Sequence, residues 1–128
     1  MIPMGSDELV VLFLLLLVGM IYAACGALLY KYPPKNINHF FGYRTGRAMK
    51  DQRSWDFAQV YSGKMMIYWG MVTMVLGFAV WMVFPDDIMI ACIVVILQTV
   101  LIFPAIIATE RKLKMMQEEP YHKYYNKY

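Results

Sequence analysis

Apolar residues fall into three long runs, Leu9 to Tyr30, Met65 to Phe84 and Ile88 to Ala108, and none of the three contains an Asp, Glu, Lys or Arg. The first run holds 22 residues. At about 1.5 Å of rise per residue, a helix of that length covers roughly 33 Å, enough to cross the hydrocarbon core of a bilayer. Strands are excluded, because an open sheet leaves backbone donors and acceptors unpaired in lipid. The pattern predicts an all-α integral membrane protein, a single membrane domain over residues 1–128. Its spans lie near 9–30, 65–84 and 88–108, joined by an ordered loop over 31–64 and followed by a tail over 109–128. Pro33-Pro34 ends the first helix, and from Trp55 to Phe84 nothing breaks the second, which extends beyond its apolar part. Ser54 is a candidate N-cap for that helix, with Asp56 in its first turn to suit the helix dipole.

Composition agrees. Hydrophobic residues make up 60% of the chain and charged ones 16%, with a mean hydropathy of +0.47. A soluble domain is about 45–50% apolar and about 25% charged, and a disordered chain holds fewer aromatic residues still. Cys25 and Cys92 are too few, and too apolar in setting, for a disulfide scaffold or a zinc site. The acidic flank Asp7-Glu8 argues for a retained anchor over a signal peptide, which carries a basic start and a shorter apolar core.

Charge orients the spans. Residues 31–64 hold seven Lys or Arg, and the tail adds Arg111, Lys112, Lys114, Lys123 and Lys127. Residues 1–8 and the turn Pro85-Asp86-Asp87 hold none. The positive-inside rule then places the loop and C-terminus in the cytoplasm and the N-terminus outside. The net charge of +3 reports topology, and no nucleic-acid surface is evident.

Small residues form seams. Gly63, Gly70 and Gly77 recur every seven residues with Thr73 on the same side, while Gly19, Ala23 and Ala27 are four apart in the first span. Such stripes let helices approach closely, within one chain or between the two copies of a homodimer. Packing is their commoner use, ahead of a ligand slot. Gln98 must face protein or water, as interhelical glue or as a secondary polar contact for a ligand, and Pro104 predicts a kink. Asp87 reads as a helix cap in preference to half of a catalytic carboxylate pair. The twelve methionines read as packing, and Tyr121, Tyr124, Tyr125 and Tyr128 as headgroup-region residues. His39 and His122 lack ligand partners at helical spacing, so no metal or cofactor site is expected.

The loop is the informative part. Phe40-Phe41 beside Gly42-Tyr43-Arg44 suggests a segment folded against the membrane face, with Gly42 making a tight or positive-φ turn. Trp55 and Gln59 lie one turn apart on one helix face, and Glu110 leaves the membrane at the same level. Asn38, Tyr43, Arg44, Thr45, Gln59 and Glu110 are therefore candidates for one polar cluster, with Arg44 and Glu110 as partners. A structural clamp and a ligand site are both open readings.

Asn38, Gly42-Tyr43-Arg44-Thr45, Trp55, Ala58, Gln59 and Thr109-Glu110 with Leu113 together resemble the SdpI-like family of bacterial membrane proteins, over roughly residues 10–115. Family members often have Ser or Thr where this chain has Ala48, and some carry further N-terminal spans. The family's namesake gives immunity to a secreted sporulation-delaying peptide toxin. The resemblance implies a multi-pass protein of the bacterial plasma membrane, an immunity or resistance protein against a membrane-active antimicrobial peptide. A second reading is binding or transport of an anionic membrane lipid, its headgroup phosphate on Arg44 with Arg47, Lys50 and Arg53 nearby. A small membrane enzyme ranks below both, because no nucleophile–base or metal constellation is visible.

Overall fold

A computed structural model describes residues 4–119. It is all-helical: α1 spans Ser6–Lys31, α2 Gln52–Val83, α3 Ile88–Val100 and α4 Ile102–Glu118, and the described residues contain no strand. With α3 and α4 taken as one span, three helices are long and apolar enough to cross a membrane. The C-terminal tyrosines and His122 lie outside the described residues.

Caps begin each rod. The Glu8 carboxylate accepts the Gly5 N–H at 3.3 Å at the start of α1, and Asp87 accepts the Ile90 N–H at 3.0 Å at the start of α3. The expected Ser54 cap is corrected to Asp51, which accepts the Ser54 N–H at 2.7 Å. The helix therefore starts at Gln52, and its 32 residues extend about 48 Å. Asp51 takes the role because its charged acceptor reaches a free donor one turn earlier, the Ser54 N–H, and suits the dipole. Ser54 is left buried inside the bundle.

The helix is interrupted between α3 and α4 at Leu101, three residues before Pro104. Pro104 has no N–H for the Val100 carbonyl, so the ladder opens there. The Tyr22 hydroxyl donates to the neighbouring Thr99 carbonyl at 3.0 Å, tying this break to α1.

α1 and α2 pack along the small-residue stripe. A β-carbon on Gly70 would stand 2.7 Å from the Ala23 nitrogen and 2.8 Å from the Gly19 oxygen. One on Gly63 would stand 2.8 Å from the Gly26 oxygen, and one on Gly77 would collide with the Leu15 carbonyl. The stripe is thus filled by α1 of the same chain, which removes it as the seam of a homodimer. Gly26, not Ala27, completes the α1 side, and Ala27 faces outward. Helical phase explains the difference: 19, 23 and 26 follow the 3.6-residue period more closely than 19, 23 and 27.

Gln98 joins the three rods at mid-bundle. Its Nε2 donates to the Thr73 carbonyl at 2.9 Å and the Leu15 carbonyl at 3.2 Å. At the end of the bundle opposite the basic loop, Trp81 Nε1 donates to the Glu8 carbonyl at 3.2 Å. Outward-facing residues on all three rods are large and apolar, among them Phe13, Val75, Met89 and Ile96. In a bilayer that surface meets acyl chains, so close packing and hydrogen bonds carry the helix association. Near the boundary Lys64 lays its Nζ 5.4 Å from the centre of the Tyr30 ring, keeping its charge at the polar level while its stem lies along the helix.

Candidate functional site

The basic end of the bundle is organised by one loop. Asn38 makes its first turn: Oδ1 accepts the N–H groups of Phe40 and Phe41 at 2.9 and 2.8 Å, and Nδ2 donates to the Asn36 carbonyl at 2.9 Å. Its side chain serves this turn alone and does not reach Glu110. Short amides compete well for nearby backbone, which is why Asn is consumed locally.

Gly42 reverses the chain next, at φ +111°, a region L side chains rarely adopt. Here the loop locks onto α2. Gln59 is wholly buried; its Oε1 accepts the Tyr43 N–H at 2.7 Å, and its Nε2 donates to the Tyr43 carbonyl at 2.9 Å. One side-chain amide thereby satisfies both backbone groups of a single loop residue, as a strand partner would. Trp55, one turn away and also wholly buried, donates from Nε1 to the Pro34 carbonyl at 2.7 Å.

After Gly42, side chains alternate in direction. Tyr43 and Thr45 turn inward to α4, and Arg44 turns out. The Tyr43 and Thr45 hydroxyls donate to the same Glu110 oxygen, Oε1, at 2.8 and 2.6 Å. The other oxygen faces Arg47, whose Nε lies 3.5 Å from it. Burial, together with the Glu110 carboxylate that accepts its hydrogen bond, raises the Tyr43 phenol well above its ordinary value of 10.0.

The expected Arg44–Glu110 pair is therefore corrected: Arg47 is the cation at Glu110, and Arg44 Nη1 donates to the His39 carbonyl. The reason is the alternation, since Tyr43 and Thr45 take the inward direction and their shared neighbour must take the other. The turn at Gly46–Met49, closed by the Met49 N–H on the Thr45 carbonyl at 3.0 Å, then brings Arg47 back towards α4. A basic residue two positions after Thr45, following a glycine, was the available sign.

Sequence reasoning also missed the outer brace. Gln117 Nε2 of α4 donates to the Ser54 hydroxyl at 2.9 Å and to the Arg47 carbonyl at 3.0 Å. Ala48, Ala58, Leu113 and Met116 form a small buried apolar cluster beneath it. Leu113 and Gln117 repeat at helical spacing from Glu110 and Thr109 on the same face. This periodicity was the signal for Gln117.

The clamp leaves a cleft of about 340 Å³ between the loop and the bundle. Gly42 to Thr45 form one wall, Ser62 and Met66 of α2 a second, and Ile102, Ala105 and Ile106 of α4 the third. A few hydroxyls and a guanidinium over an otherwise apolar lining suit a ligand that is largely apolar. No group of His, Cys, Asp or Glu among the described residues is arranged to hold a metal ion.

The model of the SdpI/YfhL protein family matches residues 35–108, which cover the loop, α2 and most of the third span. The chain is also similar to the uncharacterized protein YfhL of Bacillus subtilis strain 168. The two are 35% identical over 102 residues, which is 77% of this chain and 84% of YfhL. No solved structure gives a significant match. A multi-pass helical bundle whose loop and second span carry this match is a member of the SdpI/YfhL family.

Proposed function

We propose that the protein is a resistance protein of the bacterial plasma membrane, protecting the cell against a membrane-active peptide. Its N-terminus lies outside and its basic loop and α4 end lie in the cytoplasm, following the distribution of Lys and Arg. The observation that carries the reading is the cleft, because the residues that mark the family, Gly42 to Thr45, form one of its walls. A peptide coming from outside meets only short helix ends. A peptide already within the bilayer reaches the cleft from the side, since Met66, Ile102 and Ile106 belong to the apolar spans. The double lock of Gln59 on Tyr43, with Glu110 beneath it, fixes the loop wall before any ligand arrives. A preformed wall binds without first having to be ordered.

The test is survival. A peptide-sensitive bacterium expressing the chain should outgrow an empty-vector control during toxin challenge. Ile106→Trp, which fills the cleft from its rim, should remove most of that protection at equal membrane abundance. Survival of the wild type no better than the control rejects the reading.

A further inference from the structure

We propose that a second groove, which shares Gly42 and Arg44 with the cleft, holds one anionic phospholipid with its phosphate on Arg44. The groove is about 250 Å³ and lies between the last turns of α1, at Cys25, Leu28 and Leu29, and the loop residues Phe40, Phe41, Gly42 and Arg44. Three observations select its occupant.

The loop folds back to the depth of apolar α1, yet Phe40 remains 93% exposed. A phenyl ring at that depth is covered by acyl chains. Arg44 is exposed at the groove, and no carboxylate of the described residues forms an ion pair with it, whereas Arg47 is matched by Glu110. The His39 carbonyl takes one Nη1 donor of Arg44 and fixes the guanidinium over the groove. A guanidinium has five donors in a planar fork, so a pair remains for two parallel bonds to a phosphate. Lys31 and Lys35, also exposed, flank this end and add to the positive field at an anionic leaflet. Cationic rim and hydrocarbon walls in this order match a headgroup above its own chains. A soluble anion uses only the rim.

This inference is independent of peptide resistance, because lipid retention is measured with no peptide present. The full-length protein in detergent is titrated with phosphatidylglycerol or phosphatidylcholine, and bound lipid is counted by native mass spectrometry. Wild type should prefer phosphatidylglycerol. Arg44→Gln should weaken it about tenfold or more, the loss expected for a charge-assisted hydrogen-bond pair. Lys50→Gln, an equal loss of charge outside the groove, should stay close to wild type. Arg44→Lys keeps the charge without the fork and should fall between; it decides the matter if Arg44→Gln does not keep the wild-type thermal melt. Equal effects of Arg44→Gln and Lys50→Gln, wild-type affinity in Arg44→Lys, or equal retention of the two lipids overturns the proposal. So does displacement of phosphatidylglycerol by millimolar inorganic phosphate, which would make the rim a soluble-anion site.

Discussion

Replacing Gly42 with alanine tests whether one backbone angle sets the whole site. At φ +111° an added β-carbon is strained whatever the space around it, at a cost of about 1–3 kcal/mol. Here the space is also taken, with Gln59 Oε1 at 2.5 Å and Pro34 Cγ at 2.9 Å. Gln59 is wholly buried and cannot swing into solvent. Moving it stretches both of its bonds to Tyr43 and leaves a half-buried N–H poorly paired, which adds about 1–3 kcal/mol. Gly42→Ala should therefore cost about 2–6 kcal/mol of stability. The measurement is unfolding by increasing SDS mole fraction in mixed micelles, followed by tryptophan fluorescence. Gly46→Ala is the control: its β-carbon would meet nothing within 4 Å and its φ is not positive, so its effect should stay within about 1 kcal/mol and can be stabilising. The mechanism is separated by repeating Gly42→Ala in a Gln59→Ala background. With the amide gone, backbone strain and Pro34 remain, and the cost should fall by about 1 kcal/mol or more. An identical cost in the two backgrounds, or no difference between Gly42→Ala and Gly46→Ala, refutes the argument.

Three further outcomes follow from the same geometry. Tyr43 holds its proton in the folded state above the pH at which an unfolded chain, at 10.0, gives it up. Its contribution is thus full below pH 10.0 and declines as pH rises beyond it, so the stability gap between wild type and Tyr43→Phe should narrow in alkaline titration. Double-mutant cycles should find coupling between Arg47→Gln and Glu110→Gln and none between Arg44→Gln and Glu110→Gln. Both side chains of the pair are partly exposed, so the coupling should be below about 1 kcal/mol. Gly70→Ala sets a β-carbon against the backbone of α1, where no rotamer change gives relief. It should cost about 1–3 kcal/mol in the SDS titration and disturb the α1–α2 seam before the loop.

The clamp differs in kind from the apolar body that it closes. Glu110, Tyr43, Thr45 and Gln59 are drawn from three segments far apart in sequence, yet each bond is short and directional. In the spans the adhesive is small-residue contact with a few side-chain bonds to backbone, from Gln98, Tyr22 and Trp81. The site is therefore rigid where backbone and side chain interlock, and its cleft opens where the walls become apolar.

What the chain determined alone was the class of fold. Charge-free runs of about twenty residues admit only helices in hydrocarbon, and that constraint acts on local sequence without reference to any neighbour. Asp87 as a cap, the break in the helix before Pro104, and Trp55 and Gln59 sharing a buried face were legible for the same reason. Tertiary structure decided the direction of each loop side chain and the partner of each stripe. Whether Arg44 or Arg47 meets Glu110 depends on the sign of φ at Gly42 and on the alternation that follows. Whether Gly63, Gly70 and Gly77 face α1 or a second chain depends on which close approach is available first, and the connected helix supplies it. Hydropathy sums over a window and carries no direction; hydrogen bonds and backbone contacts depend on orientation, which exists only once the helices have met.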